Sequence, residues 1–188
     1  HLLAKIDFRA YLTTGFDEFL EIEYKDINKS LPLSKYYKNS IDEAFEAYQM
    51  EEPFILKLHG DVAESSPDTL TLSNRFAKSR LPEAIDYPKQ IRELLTDLHT
   101  VFVGFETSDL DLEGLKSVVN KTDELHRWLL IPHSHFHEQV AEQLWQNDKI
   151  ITLHYENRVQ LTLFLRKLEE VSTALQLLEV YLSYVPED

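Results

Sequence analysis

Three short stretches hold the side chains best suited to chemistry: residues 13–17 (TTGFD), 58–61 (LHGD) and 104–109 (GFETSD). Each follows an apolar run that reads as a strand. The middle one is the clearest: Phe54, Ile55, Leu56 and Leu58 lie between Pro53 and Gly60, a short buried run that stops sharply. In open α/β sheets, ligands bind outside the carboxyl ends of strands, so all three stretches are expected to face one crevice. A histidine side chain can take or give a proton near neutral pH, which makes His59 a candidate for such chemistry. Taken alone, it reads first as a hydrogen-bonded turn residue.

The elements that must position these residues are legible in outline. A strand over residues 8–14 ends at Gly15, and Phe16, Phe19, Leu20 and Ile22 give a helical face behind Asp17 and Glu18, where carboxylates are favoured. Residues 24–40 mix Lys, Asp, Asn, Ser and Pro and read as a surface loop. Ser40 is placed to cap a helix over 41–48. A short strand is expected over 69–72, with Ser73 capping the turn after it. Pro88 suits the first turn of a helix bearing Ile91, Leu94, Leu95 and Leu98.

Val101, Phe102 and Val103 make the next strand, ended by Gly104, and Asp109 is placed to cap a helix with Leu112, Leu115, Val118 and Val119. Residues 128–131 form a strand halted by Pro132, followed by a helix over 136–145 and a strand over 150–154. Asn157 caps a helical region with Val159, Leu161, Leu163, Leu165 and Leu168 apolar. Ser172 starts a separate final helix striped by Leu175, Leu178, Tyr181 and Leu182. Alternating strands and helices specify an α/β protein with a mostly parallel, doubly wound sheet and helices on both faces. The expected division is a domain over 1–170 and a terminal helix over 171–188.

Composition narrows the function. With 188 residues, 43% of them hydrophobic, the chain can bury a proper core. A net charge of -14 argues against direct binding to nucleic acid or to an anionic membrane. The absence of cysteine excludes disulfides and thiolate zinc sites. No apolar run approaches the roughly 20 residues of a membrane span. A cytoplasmic protein is the expectation. The chain opens on His1 and enters a strand almost at once, as a piece of a longer polypeptide with further domains or subunits would.

In this order, the motifs resemble the SIR2-like (sirtuin-related) domains of bacterial proteins. That family reads TTN, an aromatic residue and Asp, then Leu and Glu; here Thr13, Thr14, Gly15, Phe16, Asp17, Leu20 and Glu21 take those places. A strand ending LHGD matches Leu58, His59, Gly60 and Asp61, and a short strand ending Leu-Thr resembles residues 70–73. A strand ending FIGYS, followed by SD and DL, corresponds to Phe102, Val103, Gly104, Phe105, Glu106, Ser108, Asp109, Asp111 and Leu112. The resemblance covers roughly residues 8–170.

It implies a Rossmann-like domain that binds NAD and cleaves the nicotinamide–ribose bond, in protein deacylation or in NAD hydrolysis. Such bacterial domains often act as NAD-depleting effectors of anti-phage defence. By resemblance, His59 is the general base on a ribose hydroxyl and Asp17 helps hold the substrate loop. Thr13, Thr14, Gly60, Gly104, Ser108 and Asp109 join Asp17 along the nucleotide.

This sequence departs from the pattern in three places. The glycine-rich pyrophosphate loop is absent, and the 4 glycines are scattered. Gly15 stands where the family has its catalytic asparagine, and losing one oriented hydrogen-bonding group costs on the order of a hundredfold in rate. Glu106 stands at the serine position, where a carboxylate would repel pyrophosphate. The runner-up reading is therefore a catalytically degenerate scaffold or partner-binding module. An unrelated nucleotide hydrolase would need a phosphate loop that the sequence lacks.

Other residues invite chemistry that the sequence does not support. His133, His135 and His137 alternate with Ser134 and Phe136 and would reach a metal from an extended segment. Pro132 marks a loop there and no further ligand is evident, so no metal site is expected; a place near the adenosine end of a nucleotide, implied by the resemblance, is the alternative for this loop and for Tyr155. Ser108 with His59 and Asp61 lacks the GxSxG elbow of a hydrolase triad. Asp109, Asp111 and Glu113 read as a charged helix start.

Overall fold

Successive strand residues point to opposite faces of a sheet, and in this chain both faces are apolar. A computed structural model describes residues 2–6, 8–27, 33–63, 89–105, 126–175 and 178–182. The strands are β1 (Phe8–Thr13), β2 (Ser34–Tyr37), β3 (Phe54–Lys57), β4 (Thr100–Val103), β5 (Arg127–Pro132), β6 (Ile150–Tyr155) and β7 (Leu178–Leu182). The helices are α1 (Phe19–Ile27), α2 (Ile41–Gln49), α3 (Lys89–Asp97), α4 (Glu138–Asp148) and α5 (Arg158–Leu175). Every strand pairing is parallel. The order is β2-β3-β1-β7-β4-β5-β6, two three-stranded halves joined through β7. This is the expected Rossmann-like α/β sheet.

The core divides by face. Ala10, Leu12, Phe54, Leu56, Phe102, Leu129 and Ile131 pack on α2, α3 and α4 through Ile41, Ala44, Ile91, Leu94, Leu95 and Leu144. Phe8, Tyr11, Ile55, Val101, Val103 and Leu130 pack on α1 and α5 through Tyr24 and Leu165. Tyr11 donates its hydroxyl to Ile6 O (2.9 Å), tying β1 to the segment before it. Arg127, fully buried, donates Nη2 to Leu95 O (3.2 Å) and so links β5 to α3. Asn157 caps α5 as expected, accepting from Val159 N (3.0 Å) and Gln160 N (3.2 Å).

Four expectations are corrected. The stretch read as a loop over 24–40 contains the end of α1 and the edge strand β2; the Lys and Ser of SKYY are tolerated because an edge strand is half-solvated. The face expected on α1 is rotated, with Phe19 and Ile22 exposed and Leu20 and Tyr24 turned inward. Ser40 precedes α2, but its hydroxyl accepts from Tyr37 N (2.9 Å) instead of capping the helix. The separate final helix expected from Ser172 is not found among the described residues: α5 runs on through Leu175, and Leu178–Leu182 form β7, paired with both β1 and β4. Period-3 spacing of Leu and Tyr cannot distinguish a helix face from a short strand buried on both sides. The strand expected at 69–72 and the helix at 109–119 lie outside the described residues.

The placement of β7 has a direct test. Proline has no N–H and is excluded from central strands. Val180→Pro, facing Tyr11 on one side and Val101 on the other, is expected to lower the urea midpoint by about 3 kcal/mol or more of stability. A loss of only a few tenths of a kcal/mol would overturn the central pairing of this segment.

Candidate functional site

Strand order reverses between β1 and β4. From β1 the chain builds outward through β3 and β2, and from β4 through β5 and β6, with β7 between. A crevice at such a switch point opens at the carboxyl ends of the strands beside it. Residues 14–17, 58–61 and Gly104 follow β1, β3 and β4 and therefore converge at that end.

Backbone hydrogen bonds continue past the last paired residues. Leu58 N donates to Thr13 O (2.9 Å), and Val62 N donates to Phe16 O (3.0 Å). His59 sits between these two bonds, buried, with its ring 6.2 Å from that of Phe16. Gly60 follows at φ 92°, a left-handed conformation that a residue with Cβ adopts only under strain. The requirement for glycine after His59 is thus a requirement of the turn that aims it. Gly104 plays the same part after β4, at φ 82°.

Thr13 and Thr14 are buried, and Thr13 Oγ1 accepts from Gly15 N (3.0 Å). Asp17 Oδ1 accepts from Phe19 N (3.0 Å) and so caps α1. A Cβ at Gly15 would stand 3.2 Å from Thr13 Oγ1 and 3.6 Å from Asp17 Oδ2, close enough that the Thr13 hydroxyl would have to give by a few tenths of an ångström. Ser108 and Asp109, with Glu106, lie outside the described residues.

Beneath these loops lies a charge network that the sequence reading missed. Lys57, the last residue of β3, has a fully buried side chain. It donates to Asp61 Oδ2 (3.0 Å), to Glu21 Oε1 (3.0 Å) and to the backbone oxygen of Asp17. Asp61, also fully buried, accepts a second ammonium from Lys35 Nζ (2.8 Å), which reaches on to Glu18 Oε1 (2.8 Å). One oxygen of Asp61 thus ties β3 to β2, while Glu21 and Asp17 bring in α1. Its other oxygen accepts from Ala63 N (2.9 Å) and fixes the turn after His59. Glu18, Glu21 and Asp61 converge closely enough to surround a cation, and the two lysine ammoniums fill that place. The available signal was a lysine closing an apolar strand with an aspartate four residues on.

Burial opposes ionisation of both Asp61 and Lys35, and the network overcomes it. The Asp61 carboxyl is pushed up by burial but held below its ordinary value by Lys35, the Ala63 N–H and Lys57. Lys35 is held above the ordinary lysine value because its hydrogen bonds to Asp61 and Glu18 outweigh its desolvation.

A model of the SIR2-like domain family matches residues 9–153, well over half of the chain. The chain belongs to this family. No curated protein matches it. The domain is accordingly sirtuin-related, and SIR2-like domains generally act on NAD. The matched span begins inside β1, takes in the Thr13, His59 and Gly104 turns, and ends inside β6. No helix among the described residues is long and apolar enough to cross a membrane.

Removing Asp61 from the SIR2-like domain leaves two lysines short of a partner, one of them fully buried. Asp61→Asn is expected to cost about 3–5 kcal/mol in chemical denaturation. Lys167→Ala, at an exposed pair with Glu170, should cost under about 1 kcal/mol. Because the folded Asp61 has a depressed pKa, its contribution is present above the unfolded carboxylate value and is lost as pH falls through the folded one. Lys35 has the opposite sign, its share being lost only as pH rises through its raised value. Stability followed against pH should therefore be flat in these terms from about pH 5 to 9 and fall on acidification, with Asp61→Asn showing a smaller acid slope.

Proposed function

We infer that this chain is an NAD-processing SIR2-like domain that hydrolyses the nicotinamide–ribose bond, with His59 as its general base. The observation that carries this reading is the placement of His59. It stands at the carboxyl end of β3, pinned by Leu58 N–Thr13 O and Val62 N–Phe16 O and followed by a glycine at positive φ, beside the switch point of a SIR2-like sheet. An imidazole held there can take a proton from a ribose hydroxyl as positive charge develops on the ring. Water adds to the ribose carbon and releases a proton to solvent, and His59 returns its proton to the ribose oxygen. The C–N bond breaks with its electron pair on nicotinamide, which leaves neutral.

Thr13, Thr14, Asp17, Gly60 and Gly104 lie on the three turns and are the proposed nucleotide contacts, joined by Ser108 and Asp109. Their backbone amides suit a pyrophosphate better than the acidic surface does. The expected setting is cytoplasmic, within a larger protein or assembly, and depletion of NAD in anti-phage defence is the biological role that fits such chemistry.

A second reading rests on Gly15. No side chain there can orient water or ribose, and the Gly15 N–H is already spent on Thr13 Oγ1. On that reading the domain is a degenerate scaffold that recognises a partner.

Nicotinamide release from NAD separates the two. Turnover that falls by about 10²–10⁴ in His59→Ala supports the hydrolase. Activity that rises in Gly15→Asn identifies a site weakened at that one position. NAD neither bound nor cleaved by any of the three proteins leaves the scaffold.

A further inference from the structure

The outer strands of the sheet bring together two histidines that are distant in sequence. His154, in β6, lies opposite Ile131 of β5. The chain leaves β5 at Pro132 and enters a single 3-10 turn, His133–His135, closed by Phe136 N donating to His133 O (3.0 Å). This turn carries His133 back over β6, where its Nδ1 stands 3.2 Å from Nδ1 of His154. Glu156, just past β6, places Oε1 3.7 Å from the same His133 nitrogen. The three ligand atoms all lie within 4.8 Å of one another.

The cluster is held by its surroundings. The Phe136 ring packs 4.4 Å from His154 and 6.4 Å from His133, nearly parallel to the latter at 17°. Glu156 N donates to Gln160 Oε1 (2.7 Å), and the next residue, Asn157, caps α5. Each ligand therefore comes from a fixed joint of the fold.

Two imidazole lone pairs at 3.2 Å repel. Either one ring carries its proton on Nδ1 and donates to the other, or both lone pairs meet a cation. Two nitrogens on a tetrahedral zinc, each about 2.0–2.1 Å from it, stand about 3.3 Å apart. The His133–His154 separation is close to that value, and Glu156 Oε1, 3.7 Å from His133 Nδ1, lies a few tenths of an ångström beyond the matching distance to that ring.

We propose that His133, His154 and Glu156 form a site for a divalent transition-metal ion of the zinc type. Two imidazoles and a carboxylate are a donor set suited to such an ion, and hard cations such as magnesium would be disfavoured. All three residues are exposed, so the fourth position opens to water or to a ligand atom. A net charge of -14 raises the local concentration of cations. His135 and His137, which shared the alternating pattern with His133, are not members of the set. The site stands at the carboxyl ends of β5 and β6, apart from the turns after β1 and β3, and does not depend on NAD processing.

The test uses untagged chain stripped with a chelator and titrated calorimetrically with zinc. The expected result is a single saturable site that His133→Ala and His154→Ala each weaken about tenfold or more. Glu156→Gln, which keeps shape while removing charge, should weaken it less, and His137→Ala should leave it unchanged. Cobalt should give the intense visible absorption of a tetrahedral N/O site, lost in the histidine variants. Far-UV circular dichroism checks that each variant is folded. No zinc bound by the unaltered chain, or unchanged binding by a folded His133→Ala/His154→Ala double variant, overturns the proposal and leaves a histidine pair sharing one proton.

Discussion

The Lys57 ammonium is the constraint on which the rest of this site depends. Moving an ammonium out of water costs several kcal/mol, and a strand end between two helical layers offers no water in return. Asp61, Glu21 and the Asp17 carbonyl answer that cost, and each lies on a different piece of chain. The loop after β1, the start of α1 and the turn after β3 are therefore fixed relative to one another by one charge. His59 belongs to that turn. Its position follows from satisfying Lys57 as much as from any property of the histidine.

The sheet adds the second level of positioning. Parallel strands present their carboxyl ends on one side, so a β-α-β chain delivers its turns to one edge without long excursions. In this chain β7 completes the sheet between β1 and β4, joining the halves across the reversal point. The residues after β1 and β4 thus flank a strand that comes from the far end of the described sequence. Local order at the site is coupled to a long-range pairing, the kind of contact whose loop entropy must be met before it stabilises anything.

Much of this was readable in the sequence, for a simple reason. Apolar runs such as FILK and TVFV, ended by glycine, are strands because nothing else buries both sides of so short a segment. Glycines at 60 and 104 marked turns that do adopt positive φ. What was not readable needed partners. Lys57 drew no reading, because its partners, Glu21, Asp61 and the Asp17 carbonyl, come together only in the fold. The SKYY strand resembled a loop because an edge tolerates polar residues. Leu178–Leu182 had the spacing of a helix stripe, and only its two neighbours reveal a strand. The histidine pair was hidden in the same way: the 133–137 alternation drew attention to near neighbours in sequence, whereas strand register brings in His154.

The charge network and the candidate chemistry make different demands on the same turn. Asp61 is committed to two lysines and to the Ala63 amide, with both oxygens engaged and its ionised form favoured. A carboxylate so placed is a poor proton acceptor, because a proton on either oxygen would compete with hydrogen bonds that oxygen already accepts. The proposed proton acceptor at this end of β3 is accordingly His59, on the turn that the network fixes. At Gly15 an added Cβ would press on the Thr13 hydroxyl and make an ordinary contact with Asp17 Oδ2. Loss of Asp61 would confound folding with chemistry. Changes at His59 and Gly15 leave the buried ammonium satisfied, so their effects on NAD report on the site itself.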